Sequence, residues 1–529
     1  MIAQMHVGID LGTTFSCMAY IDDNGVAKVI RNADGDLTTP SIIWFDGRRA
    51  LVGKKAAQMK QISPAHIYEF VKRDMGKPTE IPPHFFEKDD PNTPIPAPYE
   101  IGGFKYGPAG MSAIILRKFK KEAIRFFKSI GKLDRSIDER QIELDAIITV
   151  PAYFGDKERQ ETRLAGYAAG LNVIGVINEP TAAAISYGLQ RKEDCRLMVF
   201  DLGGGTCDVT LLHMRNGAGD VITSAGDNTL GGKNWDELIQ AYIYEQFRKQ
   251  NGQDIPDDRG YDVQQKAIQS KIELTENEEA SIFMSLEQGD LETTLYRTTP
   301  EGDSSFDLYE LDPDRLFYFN ERAATLLSRC RGLCLSALQK SGMKWGHLDD
   351  VLLAGGACRM PMVAEMLREA SGLKIMQHID GFSYDTAIAI GATLYGEKSS
   401  VVKDVASHSI GVEYVQDRRH YVEHLLLKDA SLPITIDKTY RAGPNAELAV
   451  YEGESNRPDE CVLRGRIELD NPEGDVKIIL EADANGMLKV SAEYPPQGRK
   501  VMELKNELYI YDQRALPLKE KIQSLTIEL

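Results

Sequence analysis

Apolar and polar positions alternate along this chain in two ways, and the change from one to the other divides it. Up to about residue 396, short apolar runs ending in acid, glycine or threonine are interleaved with stretches whose apolar residues return every three or four positions. From Ile410 to Ile510 the spacing falls to two, as in TIDKTY, ELAVYEGE, DVKIILEAD and GMLKVSAEY, with turns at Asn471-Pro and Asn485-Gly. Successive side chains leave a strand on opposite faces, so this second region predicts a small antiparallel β domain of roughly 100 residues.

Within the first region, residues 6–45 predict hairpins (VGIDLG, CMAYIDD, an Asn24-Gly25 turn, VAKVI, PSIIWF). Residues 46–80 predict a short strand, ALVG, then a helical stretch ending in Glu69-Phe-Val-Lys-Arg73. Seven prolines between 78 and 98 predict an irregular surface excursion. Between Gly110 and Gly131, Ile114, Ile115, Phe119, Ile124, Phe127 and Ile130 keep helical spacing, which predicts a long helix with a basic outer face. That face reads as solvated, with a docking partner as the alternative.

The segment AIITV to AISYGL predicts strand, loop, helix, strand, turn and helix, with Glu179-Pro180 opening the last helix. Long helices are expected over 235–281, and DTAIAIGATLYG, 385–396, forms a small-residue helix able to pack closely. Residues 397–409 are polar and read as a linker, while 511–529 have room for one short helix or tail.

Chemistry concentrates in Val199–Val209, VFDLGGGTCDV. An apolar strand ends in Asp201, Gly203, Gly204 and Gly205 form a tight turn, and Thr206 leads to Asp208 on a returning strand. Without Cβ atoms in the way, backbone N–H groups can close on an anion, and carboxylates beside such a cradle hold hydrated Mg²⁺ or orient water. Alone, this is also an ordinary glycine hairpin. A second copy, VGIDLGTT with Asp10, Gly12, Thr13 and Thr14, favours two related halves facing one nucleotide. GDNTLGG and VLLAGGACRMP add further glycine turns. Lys72, by default a solvated helix lysine, is here the cation expected to offset triphosphate charge, and Glu179 is an acid able to reach a metal-bound water or, equally well in isolation, a helix-start acid stabilised by the macrodipole.

Composition narrows the class. At 529 residues the chain exceeds one hydrophobic core, and a net charge of −18 excludes a basic nucleic-acid footprint. Seven cysteines without regular spacing argue against a disulfide framework; Cys330 and Cys334, one turn apart, read as packed helix. With no spanning apolar run and no apolar core in MIAQMH, a cytoplasmic protein without membrane or nucleic-acid partners is predicted.

Together VGIDLGTT, VPAYF, NEPTAAA, DLGGGT, GDNTLGG, LLAGGACRMP and AIAIGA resemble the seventy-kilodalton heat-shock chaperones of the DnaK type, including their shorter HscC-like branch. The likeness covers residues 5–398 strongly and the β region to about 500 more weakly. It implies an α/β, actin-like ATPase domain over 1–396, two ribonuclease-H-like lobes closing over ATP or ADP, Mg²⁺ and K⁺. A linker over 397–409, a β peptide-binding domain of sandwich type over 410–510 and a tail over 511–529 would follow.

Carried over by motif, Asp10 and Asp201 surround Mg²⁺ and the attacking water, and Lys72 and Glu179 complete the catalytic set. Gly12, Thr13, Thr14, Phe15, Gly203, Gly204, Gly205, Thr206, Gly231 and Gly232 match phosphate contacts. Lys271, Thr275, Gly355, Gly356, Arg359 and Asp385 match the adenosine side. Pro151 and Arg159 match an interdomain relay, and Val412, Tyr414, Tyr440, Ala446 and Leu448 fall near peptide-holding positions.

The chain also departs from the pattern. Phe15 replaces a usual Asn or Tyr, Ile268 a ribose-contacting Glu, and Lys233-Asn234-Trp235 a Glu-Asp-Phe. The linker lacks about five residues and the leucine cluster, so coupling is expected to be built differently, and no helical lid follows. The resemblance implies a lidless, ATP-hydrolysing chaperone for extended peptide segments, with a J-domain co-chaperone and an exchange factor as partners. A small-molecule kinase, a filament-forming actin relative and a non-catalytic interaction module are the alternatives.

Overall fold

The computed structural model describes residues 5–529 except 61, 77–98, 102–103, 189–193, 216–217, 299–316, 374–382, 398–401, 404, 417–418, 444–445, 470–473, 485, 495–497 and 503–517. The proline-rich stretch expected to be irregular, 78–98, lies outside the described residues.

One plan of strands occurs twice. In the first sheet His6–Asp10 runs antiparallel to Phe15–Ile21 and parallel to Asp145–Val150, which pairs in parallel with Asn172–Asn178. In the second, Cys195–Leu202 runs antiparallel to Cys207–Arg215 and parallel to Asp350–Ala354. Each apolar run is buried on both faces, as central strands require, and each acid falls where its strand leaves the sheet. The aspartates therefore stand at sheet ends, where loops rather than core surround them.

Two helices, Glu179–Gly188 and Ala387–Glu397, pack between the sheets, and small residues bring them together. A Cβ on Gly391 would stand 1.7 Å from the Ala182 carbonyl oxygen, and one on Gly8 would stand 2.2 Å from the Thr393 nitrogen. The closely packing helix expected at 385–396 is thus the wedge joining the halves. Separate cores flank it, one around Val7, Ile9, Ile114 and Phe119, the other around Phe200, Val209, Trp235 and Leu353. Cys330 and Cys334 are buried in the second, as packed-helix residues.

Three expectations are corrected. The helical stretch before Arg73 is broken: a helix covers Lys54–Gln58, a strand Ile67–Tyr68, and Val71–Asp74 form a short 3₁₀ turn. The turn begins with Phe70 at φ 58°, a left-handed geometry that no helical periodicity would place there. Secondly, the basic face of the helix Pro108–Ser129 is not simply solvated. Arg117 donates to the Gln523 carbonyl at 2.6 Å and Lys121 to that of Ile527 at 2.9 Å. Thirdly, the end of the chain does more than form a short helix: after a helix over 518–524, Thr526–Ile527 joins Arg49–Val52 as a parallel strand.

The linker residues Val402–Lys403 extend the second sheet, in parallel register with Gly219 and Asp220. Backbone pairing is indifferent to side-chain identity, so the missing leucines do not prevent this attachment. Beyond it, strands Arg419–Leu426, Ile410–Gln416, Glu447–Glu452 and Val462–Glu468 form one antiparallel sheet. Ile434–Ala442, Gly474–Ala482, Leu488–Tyr494 and Gly498–Met502 form another, and apolar residues of both, among them Val412, Val450, Ile478 and Val490, share one core.

This β region rests on the helix Asp156–Ala169. Arg464 is buried in an ion pair with Glu452 and lies 3.9 Å from Glu158. The Leu488 N–H donates to Asp156 at 3.3 Å, and Gln160 donates to the same carboxylate at 2.6 Å. Burial foremost, opposed by Arg464 and reinforced by Glu452, raises the Asp156 carboxyl to about 6. Undocked, it titrates near the ordinary 3.8, so the docked state holds its proton more tightly. Docking is favoured at low pH, and that contribution is lost as pH rises from about 4 through about 6. Between pH 5 and 7 the docking constant is expected to fall about tenfold, and Asp156→Asn to flatten the change. A fluorophore pair spanning the two parts reads this directly; an unchanged slope in Asp156→Asn would remove the effect from this carboxyl.

Candidate functional site

The acid-tipped turns meet across the cleft between the sheets. Gly204 lies so close to Thr14 that a Cβ there would fall 1.9 Å from the threonine Oγ1, which is why only glycine fits. The glycine turn is fixed from behind: Gly232 donates to the Gly203 carbonyl and Lys233 to that of Gly204, each at 2.9 Å. Asn234 accepts from the Gly231 N–H at 2.8 Å, holding the start of the helix Gly232–Asn251 against the turn. Opposite, Ser41 donates to the Gly12 carbonyl at 2.7 Å and ties down the first turn.

Beneath the turns sit Asp10, Lys72, Glu179, Asp201 and Asp208. The Lys72 ammonium is buried and donates to Glu179 Oε1, and Thr149 donates to Asp10 at 3.3 Å. Burial first, then the Glu179 charge, lifts Asp10 to about 7. Burial, then Glu179 and Asp10, raises Asp201 well above the carboxylate range; burial, then Asp201, does the same to Asp208. Four carboxyl groups around one ammonium carry more negative potential than the protein relieves, the situation a divalent cation corrects. Thr14 Oγ1 and Asp208 Oδ1 are buried without a protein hydrogen-bond partner, leaving one hydroxyl and one carboxylate oxygen to be satisfied by phosphate, water or hydrated metal. Among the described residues no three side chains converge tightly enough for direct ligation, so Mg²⁺ would be held here largely through water.

The adenosine-side residues form a second group. Lys271 pairs with Asp236 at 2.7 Å and donates to the Gly232 carbonyl at 3.1 Å. Thr275 spends its hydroxyl on the Lys271 carbonyl at 3.0 Å. Gly355, with φ 81°, turns the chain against the Leu202 carbonyl, where a Cβ would stand 2.4 Å away. Arg359 pairs with Asp385 and lies 5.4 Å from the Tyr384 ring centroid, so the aromatic face beside it here is that ring. Phe15 is half-exposed at the first turn.

Pro151 and Arg159 are buried, and Arg159 meets the linker, donating to the Phe154 carbonyl at 3.0 Å and to Ser407 at 3.2 Å. Of the peptide-holding positions, Val412, Tyr440, Ala446 and Leu448 share the β core or its margin. Val412 and Leu448 are enclosed in the β core and are corrected to packing residues, because an interior side chain cannot meet a peptide. Tyr414 stacks on Tyr421 at 5.6 Å, Tyr440 donates to Glu423 at 2.8 Å, and Ala446 packs at the core margin.

Sequence reading missed Arg73, which crosses the cleft to donate to the Gly205 carbonyl, and Asp236, the partner of Lys271. Arg73 adjoins Lys72 and was available as a second cation, but only the 3₁₀ turn aims both inward.

A family model described as "Hsp70 protein" matches residues 6–523. The chain belongs to the Hsp70 family. Its relatives include "Chaperone protein DnaK" of Prochlorococcus marinus (strain MIT 9515), 31% identical over 518 residues, covering 93% of this chain and 77% of that one. "Chaperone protein DnaK" of Deinococcus proteolyticus is 32% identical over 524 residues, with the same coverages. The two matching sheets are accordingly the lobes of an actin-like Hsp70 ATPase that binds nucleotide with Mg²⁺. The protein is an ATP-dependent molecular chaperone whose ATP hydrolysis drives binding of exposed segments in unfolded polypeptides. Kinase, filament and non-catalytic alternatives are thereby set aside. Among the described residues no helix is long and apolar enough to cross a membrane.

Proposed function

We propose that this Hsp70 hydrolyses ATP by in-line attack of a water positioned by Asp10, Glu179 and Asp201, with Lys72 taking up charge on the γ-phosphate. Asp10 and Asp201 would hold Mg²⁺, mostly through water, and the ion would supply positive charge against that developing on the phosphates. Thr13, Thr14 and Thr206 donate hydroxyls to phosphate, and the turns at Gly12, Gly203–Gly205 and Gly231–Gly232 supply backbone N–H groups. Glu179 holds the Lys72 ammonium in register and, with a phosphate present, passes it toward the γ-oxygens while remaining oriented to accept from water. Lys271, Thr275, Gly355, Gly356, Arg359 and Asp385 form the adenosine end, with Asp208 and K⁺ completing the charge balance near the phosphates.

The observation that carries this reading is the buried Lys72–Glu179 pair beside Asp10 and Asp201, at the point where the two glycine turns touch. The ATPase domain is assigned to 1–396, a linker to 397–409, and a β-sandwich peptide-binding domain to 410–510, with Tyr414, Tyr440 and Ala446 at its peptide-facing margin. Pro151 and Arg159 relay between them. A J-domain co-chaperone and an exchange factor acting in the cytoplasm would drive the cycle.

Steady-state ATPase with and without a library of unfolded peptides tests the whole reading. A severalfold stimulation is expected; turnover indifferent to peptide would leave an ATPase uncoupled from its β domain.

A further inference from the structure

Lys233 belongs to the helix Gly232–Asn251 of the lobe built on the second sheet (lobe II), hydrogen-bonded to the glycine turn, and its Nζ lies 5.2 Å from the ring centroid of Phe70 in the lobe built on the first sheet (lobe I). The same ring has the Arg73 guanidinium 5.7 Å from its centroid. Phe70 opens the 3₁₀ turn that carries Lys72, and its φ of 58° is an outlier for a bulky side chain, one that persists only where its surroundings hold it. Those surroundings include a cation from each lobe. A reciprocal contact lies nearby: Lys60 of lobe I, paired with Glu69 at 2.7 Å, sits 4.8 Å from the Tyr261 ring of lobe II.

We propose that Phe70 and Lys233 are positioning residues that report lobe closure to the catalytic lysine. When the lobes close, the Lys233 ammonium meets the face of Phe70, holds its left-handed turn, and so seats Lys72 against Glu179. When they part, Phe70 loses that cation, the turn loosens and Lys72 leaves register. Hydrolysis is thereby tied to closure, and bound ATP is not cleaved in an open cleft. The Lys60–Tyr261 contact holds the mouth without touching the Lys72 turn.

The inference rests on the role given to Lys72. If that role is wrong, Lys72→Ala retains turnover; if only the present inference is wrong, Lys72→Ala is inactive but the variants below behave independently. The test compares Phe70→Leu, Lys233→Met, their double variant, Lys233→Arg and Tyr261→Leu. It uses three readouts: single-turnover hydrolysis of bound ATP, release of a fluorescent ADP analogue, and amide exchange over residues 70–74 without nucleotide. Each of Phe70→Leu and Lys233→Met is expected to slow single-turnover hydrolysis about three- to tenfold and to speed exchange in the turn. The double variant should be no worse than the worse single, Lys233→Arg should come within about twofold of the parent, and Tyr261→Leu should speed release alone. Additive losses, or a Lys233→Met effect confined to faster release, would overturn the proposal.

Discussion

Lys72→Ala is expected to lower ATP hydrolysis by about a hundredfold or more while changing ATP affinity much less. The ammonium is buried and held by Glu179, within a group of carboxyls that burial and mutual repulsion push toward protonation. Removing the cation takes away charge stabilisation where the transition state needs it, whereas the glycine turns, the threonines and the adenosine end still hold the ground state. Single-turnover hydrolysis beside calorimetric ATP titration separates the two effects. A folded variant that no longer binds ATP would make Lys72 a binding residue instead. The carboxyls are affected too: without Lys72, Asp10 and Asp201 lose the positive charge that opposes their protonation, and hydrolysis lost in this way should not be restored by raising ATP.

Ile522→Ala is the largest expected effect on stability. Ile522 is fully buried, and with Leu525 and Ile527 it belongs to the lobe I core although it lies almost four hundred positions from the helix it covers. A cavity of that size costs about 2–5 kcal/mol, which for a lobe of this size lowers the Tm by roughly 5–15 °C. Calorimetry should show the loss in the lobe I transition. A Tm within about one degree of the parent would mean that the segment rests on the lobe without being part of it. The contacts explain why the basic helix is needed here: Arg117 and Lys121 satisfy carbonyls of the incoming segment, and burial, then Arg117 and Lys519, lowers Lys120 to about 8. The Lys519 and Lys521 ammoniums lie 4.2 and 4.4 Å from the ring centroids of Tyr167 and Tyr106, which offers aromatic faces to cations brought among cations.

Much of the site is legible in the sequence because its chemistry is local. An apolar strand, an acid, glycines and a threonine within eight residues fix a turn, its backbone donors and the carboxylate beside them, so Asp10, Asp201 and their turns can be named without coordinates. The period-two spacing of 410–510 likewise fixes strands, since one face of each must be buried. Lys72 is different. Its residue type and neighbours suggest a role, but the helical periodicity around it is misleading, because the geometry that aims it inward depends on Phe70, held left-handed by contacts that include the opposite lobe. Val412 and Leu448 were misplaced for a related reason: strand alternation says that a side chain faces one side, and only the second sheet decides that this side is interior.

By itself, then, the order of residues determined the two acid-tipped turns, the small-residue wedge and the β region, each through interactions spanning a few neighbours. Tertiary structure alone decided that Arg73 crosses to the other lobe, that linker backbone can dock without leucines, and that the last residues complete the first lobe. These are pairings between segments hundreds of positions apart, and their energy lies in burial and charge that exist only once both partners are in place.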